Sequence, residues 1–270
     1  MVRDGGGALE QRLTRRVLTD PRAPVLAGLA GLTLAAWGYT AMLAARMTPG
    51  MTTMEMPGMP GMLMPAPWGA AEYAGLVVMW AVMMVAMMTP AVAPAVLLFA
   101  RLAGERRRQG RATAPTAAFL GGYLVTWAAF SLGAALAQYA LHGTLLLDAS
   151  GEQASRVVAG ALLVAAGLYQ WTPLKHRCLS QCQSPLGFFS AHWREGVAGA
   201  LGMGARHGAT CVACCWLLML LLFVAGVMNL LWVALLAGLV LLERLGRGPG
   251  AARITGVVLA GAGMWLLLAR

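Results

Sequence analysis

Long apolar stretches separated by short arginine-bearing connections leave this chain few folds to choose from. Pro24 to Ala45 carries no charged residue, and comparable runs follow at about 70–100, 117–141, 154–172, 196–227, 230–242 and 254–269. Roughly 20 apolar residues in helical form cross a bilayer core about 30 Å thick. In lipid only helices and closed barrels satisfy their own backbone hydrogen bonds. The runs predict an all-α, polytopic transmembrane bundle of seven spans. With 59% hydrophobic and 11% charged residues in 270, no sizeable soluble domain fits beside them.

The basic residues orient the bundle. Twenty lysines and arginines stand against ten acids, and a pI near 10.3 would suggest nucleic acid in a soluble protein. Here it marks loops held on the cytoplasmic side, and no nucleic-acid partner is expected. With the N-terminus in the cytoplasm, seventeen of the twenty basic residues fall inside, leaving Arg46, Arg156 and Arg270 outside. The expected organisation is a cytoplasmic N-terminal segment at 1–23, a first span at 24–45, an outer methionine-rich loop at 46–69 and a six-span domain at 70–270. The expected location is a bacterial inner (plasma) membrane, crossed several times. The first run is longer than a signal-peptide core, so it reads as a retained span.

Three clusters carry soft-ligand chemistry. In the fifth span His207, Cys211, Cys214 and Cys215 are spaced i, i+4, i+7 and i+8, which places them within roughly 100° of helical arc. Met203 and Met219 extend that face. Thiolates and thioethers select Cu(I), and zinc is possible where imidazole joins thiolate. One helix cannot surround an ion, so a ligand from another helix is required. Cysteine as a small apolar packing residue is the alternative. Cys178 and Cys182 form the second cluster, flanked by Lys175, His176 and Arg177; they share a face if helical, could still pinch one soft ion if looped, or stay an inert reduced pair.

Methionine is the third. Met51, Met54, Met56, Met59, Met62 and Met64 crowd a proline-rich segment that reads as an exposed loop, where no core explains them. Thioethers remain neutral ligands at acidic pH, which suits copper capture outside the cell; oxidation buffering is the rival explanation. Met83, Met84, Met87 and Met88 stripe the second span, where ordinary packing in lipid is a serious alternative. That span is interrupted at Pro90 and Pro94 and predicts a kink. Glu72, Glu243 and Arg206 read as charges at span ends. His142 and His192 are isolated. No phosphate loop, HExxH or serine elbow is present, which removes most hydrolase and nucleotide readings.

Three strings, WAVMMVAMMTP at 80–90, YQWTPLKHRCLSQCQSPLGF at 169–188 and GARHGATCVACCWLLMLLLFVAGVMNLLW at 204–232, together resemble a bacterial domain-of-unknown-function family. That family is described as predicted metal-binding integral membrane proteins, some labelled copper chaperones. The resemblance spans about 75–265. It implies a multi-spanning protein with a metal site whose motif residues are Met83, Met84, Met87, Met88, Pro90, Cys178, Cys182, His207, Cys211, Cys214, Cys215 and Asn229. The expected function is binding of a soft metal, Cu(I) first, for chaperoning, sensing or transfer, with the lipid bilayer, the ion and a membrane or copper protein as partners. A thiol-disulfide membrane oxidoreductase using Cys211-Val-Ala-Cys214 and a structural subunit of a membrane complex are the rivals.

Overall fold

The computed structural model describes residues 22–46, the backbone of 53–56 and 59–65, and residues 69–141, 154–246 and 248–269. The segment up to residue 21 and Met51 lie outside the described residues. Helix α1 spans Ala23–Arg46. Its buried residues Leu29, Ala36 and Thr40 form one stripe, with Val25, Trp37 and Leu43 partly buried against the core. Thr33 and Thr40 donate their hydroxyls to the carbonyls of Leu29 and Ala36, both at 2.8 Å, so neither leaves an unmet polar group in an apolar helix. The segment read as a loop contains a backbone hairpin. Strand β1, Thr53–Met56, pairs antiparallel with β2, Met59–Pro65, setting Met54 opposite Met64 and Met56 opposite Met59.

Helix α2, Ala70–Arg108, contains 39 residues, about 58 Å at 1.5 Å per residue. It therefore outruns a bilayer core. It remains one helix through Pro90 and Pro94, and Thr89 donates its hydroxyl to the Val85 carbonyl at 2.7 Å just before the first proline. Helix α3, Thr116–Leu141, packs beside it. The Trp80 indole donates to Gln138 Oε1 across that seam at 2.8 Å.

Helix α4, Arg156–Tyr169, and helix α5, Pro173–Gln183, form a pair bent by 68°. Thr172 caps α5 by accepting from the Lys175 backbone N–H at 3.2 Å, and Pro173 follows where a missing N–H costs nothing. Residues 173–192 build α5 and α6, Pro185–His192, with Lys175, Leu179, Cys182, Phe188 and Phe189 buried. The polar face turns inward because it has partners there.

Helix α7, Gly196–Leu220, is followed by the short α8, Leu222–Ala225. Asn229 then caps α9, Leu230–Leu245, accepting from the Trp232 N–H at 3.2 Å, and α10, Gly250–Leu268, closes the described chain. Helices α3 and α7 approach so closely that a Cβ on Gly122 would strike the Leu201 carbonyl and one on Gly204 the Phe119 carbonyl. Small residues permit such contact where lipid supplies no hydrophobic drive between helices.

Among the described residues five helical segments are long and apolar enough to cross a membrane: Ala23–Arg46, Ala70–Arg108, Thr116–Leu141, Gly196–Val224 and Gly250–Leu268; the bent α4–α5 pair makes up to six. Helix α9, the remaining segment read as a span, has 16 residues, about 24 Å of rise. Large apolar side chains such as Leu34, Val125, Leu231, Ile254 and Leu268 point outward, compatible with lipid contact.

Candidate metal centre

The fifth-span stripe is sealed. His207, Cys211, Cys214 and Cys215 are each 1% exposed or less, as is Met219, with Met203 at 2%. Burial follows from the close approach of α3, which the glycines of α7 allow, and from α5 covering the same helix. Cys182 faces inward at 9% exposure, while Cys178 is only half-buried. The shared face expected of these two cysteines is thus divided. Cys182 lies within hydrogen-bonding reach of Cys214, Cys214 of Cys215, and Cys215 of Cys211. The Cys215 thiol also donates to the Cys211 carbonyl at 3.1 Å. Four thiols from two helices form one contact chain, and all are free.

Cys211 ends that chain against two groups from other helices. Tyr123 Oη lies 3.1 Å from its sulfur and 3.5 Å from the Met88 carbonyl. Arg244 donates to the Cys211 sulfur and, through Nη1, to the Ala91 carbonyl at 3.3 Å. The carbonyls of Met88 and Ala91 bracket Pro90, so the proline-bearing stretch of α2 is tied to Cys211 through both. Met83, Met84, Met87 and Met88 are buried in the same core. His207 has an aromatic setting: Phe188, Phe119 and Tyr123 lie 5.0, 6.0 and 6.1 Å from its ring centre. Its Nδ1 is buried without a hydrogen-bond partner.

The charges required correction. Glu243, read as an exposed helix-end carboxylate, is 1% exposed and accepts from Lys175 Nζ at 2.6 Å. Gln170 Nε2 donates to its other oxygen at 2.8 Å, and Gln183 Nε2 to its carbonyl at 2.7 Å. Lys175 is fully buried and Arg244 is 7% exposed, so two of the seventeen charges assigned to cytoplasmic loops belong to the interior. Glu72 and Arg206 are exposed as expected. Arg244, Tyr123 and Gln170 were not anticipated as neighbours of the thiols. A signal existed in Glu243-Arg244 ending an apolar run, since ionisable groups in a span ordinarily have a function.

Among the described residues no group of three or more His, Cys, Asp and Glu side chains is arranged to hold a metal ion. In this conformation the Cys215 thiol is satisfied by the Cys211 carbonyl, and the Cys211 sulfur by Tyr123 and Arg244. A metal site built here needs thioether ligands, or rearrangement of the thiol chain. Of the loop methionines, Met54, Met56, Met59, Met62 and Met64 are placed by backbone alone. The donor set nonetheless fits a soft ion: buried thiol and thioether sulfur with one imidazole.

No curated protein and no solved structure matches the chain. Residues 77–266 match the family PpoB2, described as copper chaperone. That stretch includes the α2 methionines, both Cys178 and Cys182, and the whole α7 stripe, and it begins after the hairpin. By this match over most of its length, the chain belongs to the copper chaperone family.

Proposed function

We propose that the protein is a multi-pass inner-membrane copper chaperone that holds Cu(I) as cargo among the buried sulfurs of α7, α5 and α2. One observation carries the reading. Cys182 of α5 meets Cys214 of α7 inside the bundle, giving the soft donor from a second helix that a single helical stripe lacks. Soft thiolates and thioethers prefer Cu(I) to harder ions. Binding replaces the thiol contacts with metal–sulfur bonds and releases thiol protons. Met87, Met88, Met203 and Met219 then serve as neutral ligands beside the thiols, and zinc fits this sulfur-dominated set less well than copper. The loop methionines act as collectors on the outer side.

The orientation proposed is N-in, with the α2 end bearing Arg101, Arg106, Arg107 and Arg108 in the cytoplasm. Seven crossings require α9 to cross with local thinning; six leave it partly inserted.

The test is Cu(I) titration of detergent-purified protein against a chelator of known affinity, with bound metals counted by elemental mass spectrometry. Stoichiometric copper that is lost in Cys214→Ser supports the reading. Metal-free protein in which Cys182 and Cys214 form a reversible disulfide overturns it in favour of thiol-disulfide chemistry, which the same contact would permit.

A further inference from the structure

A cavity of about 320 Å³ opens beside the start of α7, lined by His192, Trp193, Arg194, Gly202, Met203 and Arg206 among others. Its chemistry is mixed in an informative way. Arg194 and Arg206 are exposed cations, and a bare metal cation would be repelled by them. Two soft donors share the lining. His192 Nδ1 lies 3.0 Å from the Phe188 carbonyl; a neutral ring donating there presents Nε2 as its lone-pair nitrogen. Met203 is 2% exposed, and its sulfur accepts from the Arg194 N–H at 3.3 Å, which leaves a second lone pair.

The cavity adjoins the thiol chain. Met203, His207 and Cys211 stand at i, i+4 and i+8 on α7, one above another on a single face. Phe188 stands beside both histidines, its ring 5.1 Å from His192 and 5.0 Å from His207. Beyond it is the imidazole whose Nδ1 has no partner. Arg106 fixes the outer rim, its guanidinium 4.4 Å above the Trp193 ring and 3.5 Å from Glu195. A run of soft donors therefore leads inward from a cationic opening.

We infer that this cavity is the port where Cu(I) is exchanged with a small anionic thiolate complex, the cations receiving the complex and His192 and Met203 taking the ion. This rests on the copper-holding reading above. The step is a ligand exchange: copper–sulfur bonds to the carrier break as bonds to His192 and Met203 form. Copper stays Cu(I), and the carrier leaves as free thiolate. A volume of this size suits a small-molecule headgroup rather than a folded protein. The arginines alone would serve a phospholipid phosphate equally, but a lipid makes no use of the imidazole and thioether.

Gly202 supplies the decisive variant, because it lines the cavity and a Cβ there meets nothing within 4 Å, so a larger side chain starts from an open wall position. The experiment measures, by stopped-flow and elemental mass spectrometry, copper loading of the full chain in detergent from two donors: the anionic Cu(I)–glutathione complex and the cationic Cu(I)–acetonitrile complex. Gly202→Leu is expected to slow loading from Cu(I)–glutathione at least about tenfold, with final copper content unchanged and Gly202→Ala close to the parent. Arg194→Glu with Arg206→Glu, both at exposed positions, should slow the anionic donor roughly tenfold and spare the cationic one, the signature of steering. Parent and Gly202→Leu loading equally fast from Cu(I)–glutathione would remove the cavity from copper handling while leaving the copper reading intact. Parent protein that takes copper from neither donor would sink both. Inhibition of loading by anionic phospholipid vesicles, with no effect of excess glutathione, would assign the cavity to a lipid headgroup instead.

Discussion

Lys175 Nζ lies 2.6 Å from Glu243 Oε2, with neither side chain more than 1% exposed. This pair joins α5 to the end of α9, and the amides of Gln170 and Gln183 complete the attachment to Glu243. What it holds in place is Cys182, seven residues along α5, against Cys214. A fully buried ion pair is weak evidence for net stability, because desolvation offsets much of the attraction. Its consequence here is positional.

Breaking one partner should therefore cost far more than removing both. Glu243→Gln leaves a buried lysine without its counter-charge and is expected to destabilise the protein by about 3–5 kcal/mol. Lys175→Met combined with Glu243→Leu should recover most of that loss. Thermal unfolding in detergent measures both, and a double variant as unstable as the single one would show that the pair contributes packing alone.

This network explains what was legible in sequence and what was not. The long helices were readable because each apolar run dwarfs its flanking charges, and the turn at Asn229 was readable because it ends one run and caps the next. Helix α5 was not, since Pro-Leu-Lys-His-Arg-Cys has no long apolar run and carries Lys175, His176 and Arg177 together. Its burial depends on a carboxylate 68 positions away, which no local pattern reveals. The α7 stripe was legible from spacing. Which of Cys178 and Cys182 faces it was not, because both lie one turn apart and only the docking of α5 separates them.

The α3–α7 seam should tolerate no added bulk. A Cβ on Gly204 would run into the Phe119 carbonyl, a backbone atom that no rotamer change can move aside. Gly204→Val is expected to separate the two helices and destabilise the bundle by about 1–3 kcal/mol or more, the range for overpacking. Gly133→Ala on α3, where nothing lies within 4 Å of the added carbon, should leave the melting temperature at or slightly above the parent's, since alanine is the better helix former. Equal stability of both variants would contradict the close approach.

Orientation is testable without metal. The proposed arrangement places the hairpin outside and residues 101–111 in the cytoplasm, because the alternative exports a dense arginine cluster. Single cysteines at 52 and 109 in a background lacking the five native ones should differ in intact spheroplasts, with an impermeant thiol reagent labelling 52 alone. Labelling of 109 alone would invert the bundle.

Arg244 offers the sharpest test of how copper is held. It donates to the Cys211 sulfur and the Ala91 carbonyl, so it links the end of the thiol chain to the methionine-bearing helix. Two thiolates on one Cu(I) carry a net negative charge, and burying it requires a cation nearby. Lys175 is already committed to Glu243, which leaves Arg244 to balance the loaded centre. A hydrogen bond to a charged group contributes about 1.5–3 kcal/mol. Arg244→Met should therefore weaken Cu(I) binding by roughly ten- to hundredfold, and Arg244→Lys should restore part of the loss by returning the charge without the forked geometry. Cys178→Ser, in contrast, should bind copper with parental affinity, because Cys178 stands outside the contact chain. Chelator competition on the four proteins measures this. Arg244→Met binding as tightly as the parent would show that the guanidinium only braces α9 against α2, and that the charge of the bound centre is met elsewhere.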